Sequence, residues 1–288
     1  PTTVVVPQGS TLAAAARELE RLGAVRSTTG FLRFADWFGS KEPIKAGEYE
    51  VAPGMSARDI LSLLQSGRTV QRLITIPEGT PSILVFERLA REKLLTGKLP
   101  IPPEGTVLPG TYSFQRGEPR KAVLGRMQDA MRTTLNQLWM TRKANTAVNS
   151  KQEALTLASI VEKETSVPDE RPMVAGVYTN RLRTGMRLQA DPTIIYPLTK
   201  GKPLGRRIRL SEVRAKNDYN TYAMEGLPKG PITNPGKDAI AAVLAPAQTD
   251  ALYFVADGKG GHVFASNLQD HNANVRRYYN LRKAQGAR

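Results

Sequence analysis

Lys151-Gln152-Glu153-Ala154-Leu155-Thr156-Leu157-Ala158-Ser159-Ile160-Val161-Glu162-Lys163-Glu164-Thr165 carries the most informative pattern in the chain. At about 100° per residue, Leu157, Ile160, Val161 and Glu164 occupy positions i, i+3, i+4 and i+7 of one helix face. That spacing predicts a helix over 151–165 with Glu164 on its buried stripe. Glu162 falls roughly 140° from Leu157 and is expected on the polar side with Lys163. A carboxyl at the end of an apolar stripe is partly desolvated, which disfavours its ionised form and lets it carry a proton near neutral pH. A general acid acting on a poor leaving group such as a glycosidic oxygen needs that property. The alternative is a Glu164 lying past the helix end and fully solvated.

Upstream, Thr2 to Val6 is β-branched and stops at Pro7, and Ser10-Thr11 is placed to cap a helix running to about Leu22. A second strand–helix unit follows, with a strand at Gly47–Val51, a Pro53-Gly54 turn, and a capped start at Ser56–Asp59 for a helix that Gly67 ends. Thr69 to Ile76 reads as another strand, closed by Pro77-Glu78-Gly79. Residues 100–119, rich in Pro and Gly around Leu108–Phe114, read as an irregular connector or cleft wall, and a helix is expected from about Arg120 to Met140. After Gly185 the chain reads as loop-rich. Near the end, Leu252–Ala256 and His262–Ala265 flank Asp257-Gly258-Lys259-Gly260-Gly261 as a β-hairpin; no Gly-Lys-Ser/Thr follows, so a phosphate loop is rejected. The fold class expected is α+β, in an N-terminal region 1–80, a connector 81–119 and a larger domain 120–288.

Composition narrows the function. At about 100 to 200 residues per domain, 288 residues suggest two domains. Lys plus Arg number 41 against 26 acids, a net charge of +15 that attracts anions: nucleic acid, acidic lipid surfaces or anionic wall polymers. With no Cys, thiolate nucleophiles, zinc–thiolate sites, iron–sulfur clusters and disulfides are excluded, and two His leave little for a metal site. His262 and His271 match no standard ligand pair, and no Gly-x-Ser-x-Gly elbow supports a Ser-His-Asp triad. No metal or cofactor is expected. Basic runs such as Arg206-Arg207-Ile208-Arg209 have no accompanying nucleic-acid motif, so that reading rests on charge alone. No run reaches the roughly 18 to 20 apolar residues of a membrane span. The sequence opens at Pro1 without Met, and a targeting segment ahead of Pro1 is expected.

Two further clusters suit a polar ligand. Val177–Tyr196 mixes Asn180, Arg181, Arg187, Gln189 and Asp191 at a helix end and loop, and Asp218-Tyr219-Asn220-Thr221-Tyr222 precedes a Pro/Gly-rich loop. Amide, guanidinium and phenol groups fit a polyhydroxylated or acidic substrate; an exposed helix and ordered surface loops fit the same residues. Asp191 is a candidate second carboxylate for a two-acid glycosidase.

These stretches resemble a known family. Leu157–Thr165, Asn180-Arg181-Leu182, Met186–Thr193, Tyr219–Tyr222, Gly226-Leu227-Pro228 and Tyr253–His262 closely resemble the endolytic murein transglycosylases, also called MltG or YceG-like proteins, and residues of about 45–80 look like that family's LysM-like subdomain. The resemblance implies a bacterial enzyme held in the inner membrane by one N-terminal helix, with its catalytic domain in the periplasm or outside the membrane. Its expected reaction cleaves the β-1,4 bond between N-acetylmuramic acid and N-acetylglucosamine in nascent peptidoglycan strands, leaves 1,6-anhydromuramyl ends, and terminates chain elongation. It implies peptidoglycan strands and peptidoglycan synthases as partners, no nucleic acid, and no cofactor. The second Glu of the family's Glu-Lys-Glu-Thr motif is the catalytic acid, here Glu164. Tyr112, Asn180, Gln189, Asp191, Asn220 and Tyr222 are the expected cleft residues, with Gln189 and Asn220 suited to N-acetyl groups and Arg181 or Arg187 buttressing the loops. The competing class is a non-catalytic wall-binding module in which Glu164 is structural.

Overall fold

The computed structural model describes residues 1–284. Its first part runs β1 (Thr2–Val6), α1 (Leu12–Arg21), α2 (Thr28–Phe38), β2 (Gly47–Val51), α3 (Ala57–Ser66), β3 (Arg72–Ile76), α4 (Ser82–Arg91) and β4 (Gly110–Phe114). It continues with α5 (Arg120–Met140), α6 (Lys151–Glu164), a 3₁₀ turn at Pro168–Glu170, α7 (Arg171–Arg183), α8 (Pro192–Thr199), α9 (Leu210–Arg214), α10 (Lys237–Leu244), β5 (Tyr253–Ala256), β6 (His262–Ala265) and α11 (Leu268–Ala284). Helices with three small two-stranded sheets make an α+β protein. The chain divides into two compact units.

The first unit comprises Pro1–Ile74, Glu92–Lys98 and Thr111–Val123. β1 and β2 pair antiparallel, with Thr2 opposite Val51 and Val6 opposite Gly47. Alternation along β1 turns Val4 and Val6 inward, where they meet Ala16, Leu19, Tyr49, Ile60 and Leu64. The helix starts follow local chemistry: Thr11 caps α1, and Ser56 with Asp59 forms a full capping box on α3, which ends at Gly67 in the left-handed conformation (φ 73°). Glu48 is buried on β2, where Arg72 holds it at 2.9 Å and Arg116 at 3.5 Å. Buried carboxylates persist where such pairs compensate desolvation.

The second unit comprises Thr75–Arg91, Leu99–Gly110 and the chain from Leu124 onward. α6 is its axis and packs against α7, α8 and α10. Every residue from Ala154 to Val161 is buried, so α6 is an interior helix rather than a one-sided surface helix. β5 and β6 form the expected hairpin, with Tyr253 opposite Ala265 and Ala256 opposite His262. Asp257 closes its turn by accepting from the backbone N–H of Lys259 (2.7 Å) and Gly261 (3.0 Å).

Two readings need correction. The stretch 100–119 is not wholly irregular, since it contains β4, which pairs with β3. The region after Gly185 is not mainly loops and short strands: it contains α8, α9, α10 and α11 as well as the hairpin. α9 and α10 are only 5 and 8 residues long, and short helices embedded in Pro/Gly-rich sequence leave too few periods to detect.

Candidate active site

Glu164 is the last residue of α6. Ser150 starts this helix by accepting from the Glu153 N–H at 3.1 Å, and Thr165 leaves it in an extended conformation. The Glu164 carboxyl is thereby held at the end of a helix locked in the core. Its Oε1 is buried and has no hydrogen-bond partner. Burial pushes the carboxyl up to about 7, and the charge of Asp191 pushes the same way; the Tyr178 hydroxyl and the Arg181 guanidinium oppose the shift without cancelling it. The group therefore exchanges its proton near neutrality.

Glu164 opens into a pocket of about 430 Å³ whose walls include Arg181, Gln189, Asp191, Tyr222 and Tyr253. Asp191 and Tyr222 come from two loops fastened by a threonine clasp. Thr193 and Thr221 share a hydrogen bond at 2.8 Å, the Ala190 N–H donates to Thr221 Oγ1 at 3.0 Å, and the Thr221 N–H donates to Thr193 Oγ1 at 3.2 Å. On this frame the Tyr222 hydroxyl donates to Asp191 Oδ1 at 2.7 Å. Burial, then the bonded Asp191 carboxylate, raise the Tyr222 phenol above its ordinary range. Gln189 is a non-glycine residue at φ 51°, a conformation found where neighbouring structure over-determines the backbone, and its exposed side chain lines the pocket.

Arg181, buried on α7, ties the opposite wall together. Its Nε donates to Leu252 O at 2.7 Å and its Nη1 to Leu188 O at 2.7 Å, so one guanidinium spans the segment entering the hairpin and the loop before Gln189. It also lies over the Tyr253 ring at 5.5 Å. His271 of α11 stacks on the other partner of that wall, Tyr253, with centroids 5.1 Å apart. A second tie comes from Glu170, which accepts from the His262 N–H (2.7 Å), pairs with His262 Nδ1 (2.7 Å), and accepts from Thr165 Oγ1 (3.1 Å), linking the hairpin to the residue after Glu164.

Of the expected cleft residues, Gln189, Asp191 and Tyr222 gather around Glu164. Asn220 and Asn180 are placed elsewhere in the same unit. Asn220 is fully buried and its amide donates to the carbonyls of Glu212, Val213 and Ala215, closing the end of α9. Asn180 donates to Thr249 O (2.8 Å) and Ala251 O (3.0 Å), and neither Asn lines the pocket. Tyr112 lies on β4 in the first unit. Glu162 departs from its expected polar face: its side chain is 4% exposed, accepting from the Gly236 N–H at 2.8 Å and from Arg171 at 3.2 Å. Arg171 and the Gly236 N–H draw Glu162 inward, while the neighbouring Lys163 stays exposed.

Residues 4–277 match the model of the YceG-like family. The chain belongs to the YceG-like family. It is 31% identical over 328 aligned residues to the endolytic murein transglycosylase of Streptococcus pneumoniae (strain R6), covering 96% of this chain and 58% of that protein. Against the endolytic murein transglycosylase of Bacillus subtilis (strain 168) it is 30% identical, covering 95% of this chain and 83% of the other. The chain thus spans somewhat over half the length of its pneumococcal relatives. The crystal structure of a yceG-like protein from Listeria monocytogenes superposes with a TM-score of 0.57 at 28% identity, covering 94% of this chain and 97% of that one. In this YceG-like chain, the pocket residues that sequence reasoning missed include Tyr178, Tyr253 and His271. Tyr178 and Tyr253 each carried a readable signal, an aromatic inside the Val177–Tyr196 stretch and the Tyr253–His262 motif respectively, whereas His271 follows both.

Proposed function

We propose that the protein is an endolytic lytic transglycosylase of peptidoglycan, cleaving the β-1,4 bond between N-acetylmuramic acid and N-acetylglucosamine within glycan strands. The supporting observation is the Glu164 carboxyl, buried at the end of α6, facing a polar pocket and poised near pH 7. Relatives named endolytic murein transglycosylases across nearly the whole chain support the same reading.

In this reading Glu164 donates its proton to the glycosidic oxygen as the muramyl C1–O bond breaks, releasing the glucosamine 4-hydroxyl. The muramyl C6 oxygen then attacks C1, and its proton passes to the Glu164 carboxylate, restoring the acid. One C–O bond is broken and one is formed, with no water consumed. Burial, with the charge of Asp191 adding to it, favours the protonated Glu164, and Asp191 favours the positive charge that builds at C1. The strands would be nascent ones, with chain termination as the biological role and peptidoglycan synthases as partners. A residue 45–80 LysM-like element would grip glycan, residues 120–288 would supply catalysis, and a membrane anchor would hold the protein outside the inner membrane; among the described residues no helix is long and apolar enough to cross a membrane.

A second reading is favoured by one observation, that Asp191 shares the pocket with Glu164: a water activated by Asp191 would make the enzyme a hydrolase. Digestion of purified peptidoglycan with wild type and Glu164→Gln, followed by mass spectrometry, decides. Anhydromuramyl ends from wild type alone support the transglycosylase; reducing ends transfer the assignment to the hydrolase; sacculus binding without cleavage leaves a wall-binding module.

A further inference from the structure

A second pocket, also of about 430 Å³, lies within the same unit and is lined by Leu84, Lys163, Pro192, Ile195, Tyr196 and Leu204, among others. Its relation to the Glu164 site follows from chain order. Lys163 precedes Glu164 at the end of α6, and Pro192 follows Asp191 at the start of α8, so the two cavities flank the same helix end and the same loop. Successive helical residues diverge by about 100°, which sends the Lys163 and Glu164 side chains into different cavities.

The second pocket is built, not incidental. Gly201 sits at φ 83° where a Cβ would come within 2.7 Å of Pro81 Cγ, so the end of α8 is pressed against the segment leading into α4. At Gly79 (φ 69°) a Cβ would lie 3.6 Å from Lys163 Cδ, so the lysine stem lies along bare backbone there. The Thr80–Asn234 bridge, with Asn234 Nδ2 donating to Thr80 O at 2.9 Å, fixes that segment. Lys202 at the rim is paired with Glu87, whereas Lys163 is exposed and forms no ion pair among the described residues. The result is an apolar wall beside an exposed cation held in no ion pair among the described residues.

Resting on the transglycosylase reading, we propose that this pocket is a peptide subsite: it takes the short peptide carried on the muramyl lactyl group, with small side chains against Leu84, Ile195 and Leu204 and a peptide carboxylate on Lys163 Nζ. A glycan seated at Glu164 presents its muramyl unit at the shared helix end, and a peptide of small side chains and free carboxylates matches both the wall and the charge.

The test is calorimetric binding to the full chain in the Glu164→Gln background, using soluble uncross-linked glycan with intact peptides and the same glycan stripped by an amidase. The intact form should bind about tenfold tighter, and Lys163→Ala or Leu204→Glu should bring that ratio down by about fivefold or more, with Lys163→Arg retaining it. Equal affinity for both glycans, or variants that weaken both in proportion, overturns the subsite. Failure of the transglycosylase reading is seen separately, as absence of anhydromuramyl ends from wild type; the affinity ratio would still decide the subsite.

Discussion

Tyr222 donates its phenolic hydrogen to Asp191 Oδ1 across 2.7 Å, and this bond aims a charge at Glu164. Asp191 raises the Glu164 proton affinity by repulsion, so Asp191→Asn makes ionisation easier. Since the acid must be protonated to act, the alkaline limb of the rate–pH profile should move to lower pH in Asp191→Asn. A kcat/KM profile between pH 5 and 9 checks this; an unmoved limb would dissociate Asp191 from Glu164.

The same shift has a stability consequence. The folded-state value of about 7 exceeds the ordinary 4.5, so the native state binds the proton more tightly than the unfolded chain. The stability contributed by this group is therefore fully present below about 4.5 and is lost as pH rises through about 7. A gap of about 2.5 units (7 minus 4.5) at about 1.36 kcal/mol each amounts to about 3 kcal/mol. Glu164→Gln should match wild type near pH 4.5 and exceed its stability at pH 8 by up to that amount while losing catalysis. Denaturant unfolding at the two pH values measures the difference.

Arg181 bridges Leu252 and Leu188 through two different nitrogens of one planar group. An ammonium cannot reach both carbonyls in that geometry. Arg181→Lys should fold but lower kcat by roughly tenfold to a hundredfold, because small displacements of positioning groups carry penalties of that size. Steady-state assays on glycan strands check it, with circular dichroism as the folding control.

Gly176 tests the packing behind that wall. A Cβ there would sit 2.8 Å from the Ala247 carbonyl oxygen and 2.9 Å from Thr249 Cγ2, so α7 approaches the segment between α10 and β5 only because the side chain is absent. Gly176→Ala should cost about 1 to 3 kcal/mol. The midpoint of thermal unfolding should fall by several degrees, roughly 2 to 4 °C per kcal/mol for a chain of this size.

How much of this was legible depends on range. The α3 capping box, the start of α6 and the β5–β6 turn are set by residues a few positions apart, and each stands as read. Glu164 was legible because a helical period and a motif coincide on it. Glu162 departs from its expected polar face because its burial depends on Arg171 and Gly236, partners that helical periodicity does not encode. Asn220 resembles a ligand-binding amide in sequence, yet three carbonyls around α9 occupy it. His271 reaches the pocket through tertiary packing of α11, which no local spacing encodes.

The burial of α6 from Ala154 to Val161 ties the acid to the slowest-opening part of its unit. Loops that fray before global unfolding can disable an enzyme early, but an acid borne on the central helix is lost only when the core itself opens. Warming should therefore spare the Glu164 environment until the cooperative transition, and amides of α6 should be among the last to exchange with deuterium. Core substitutions far from the pocket should therefore lose proton transfer together with the fold rather than ahead of it.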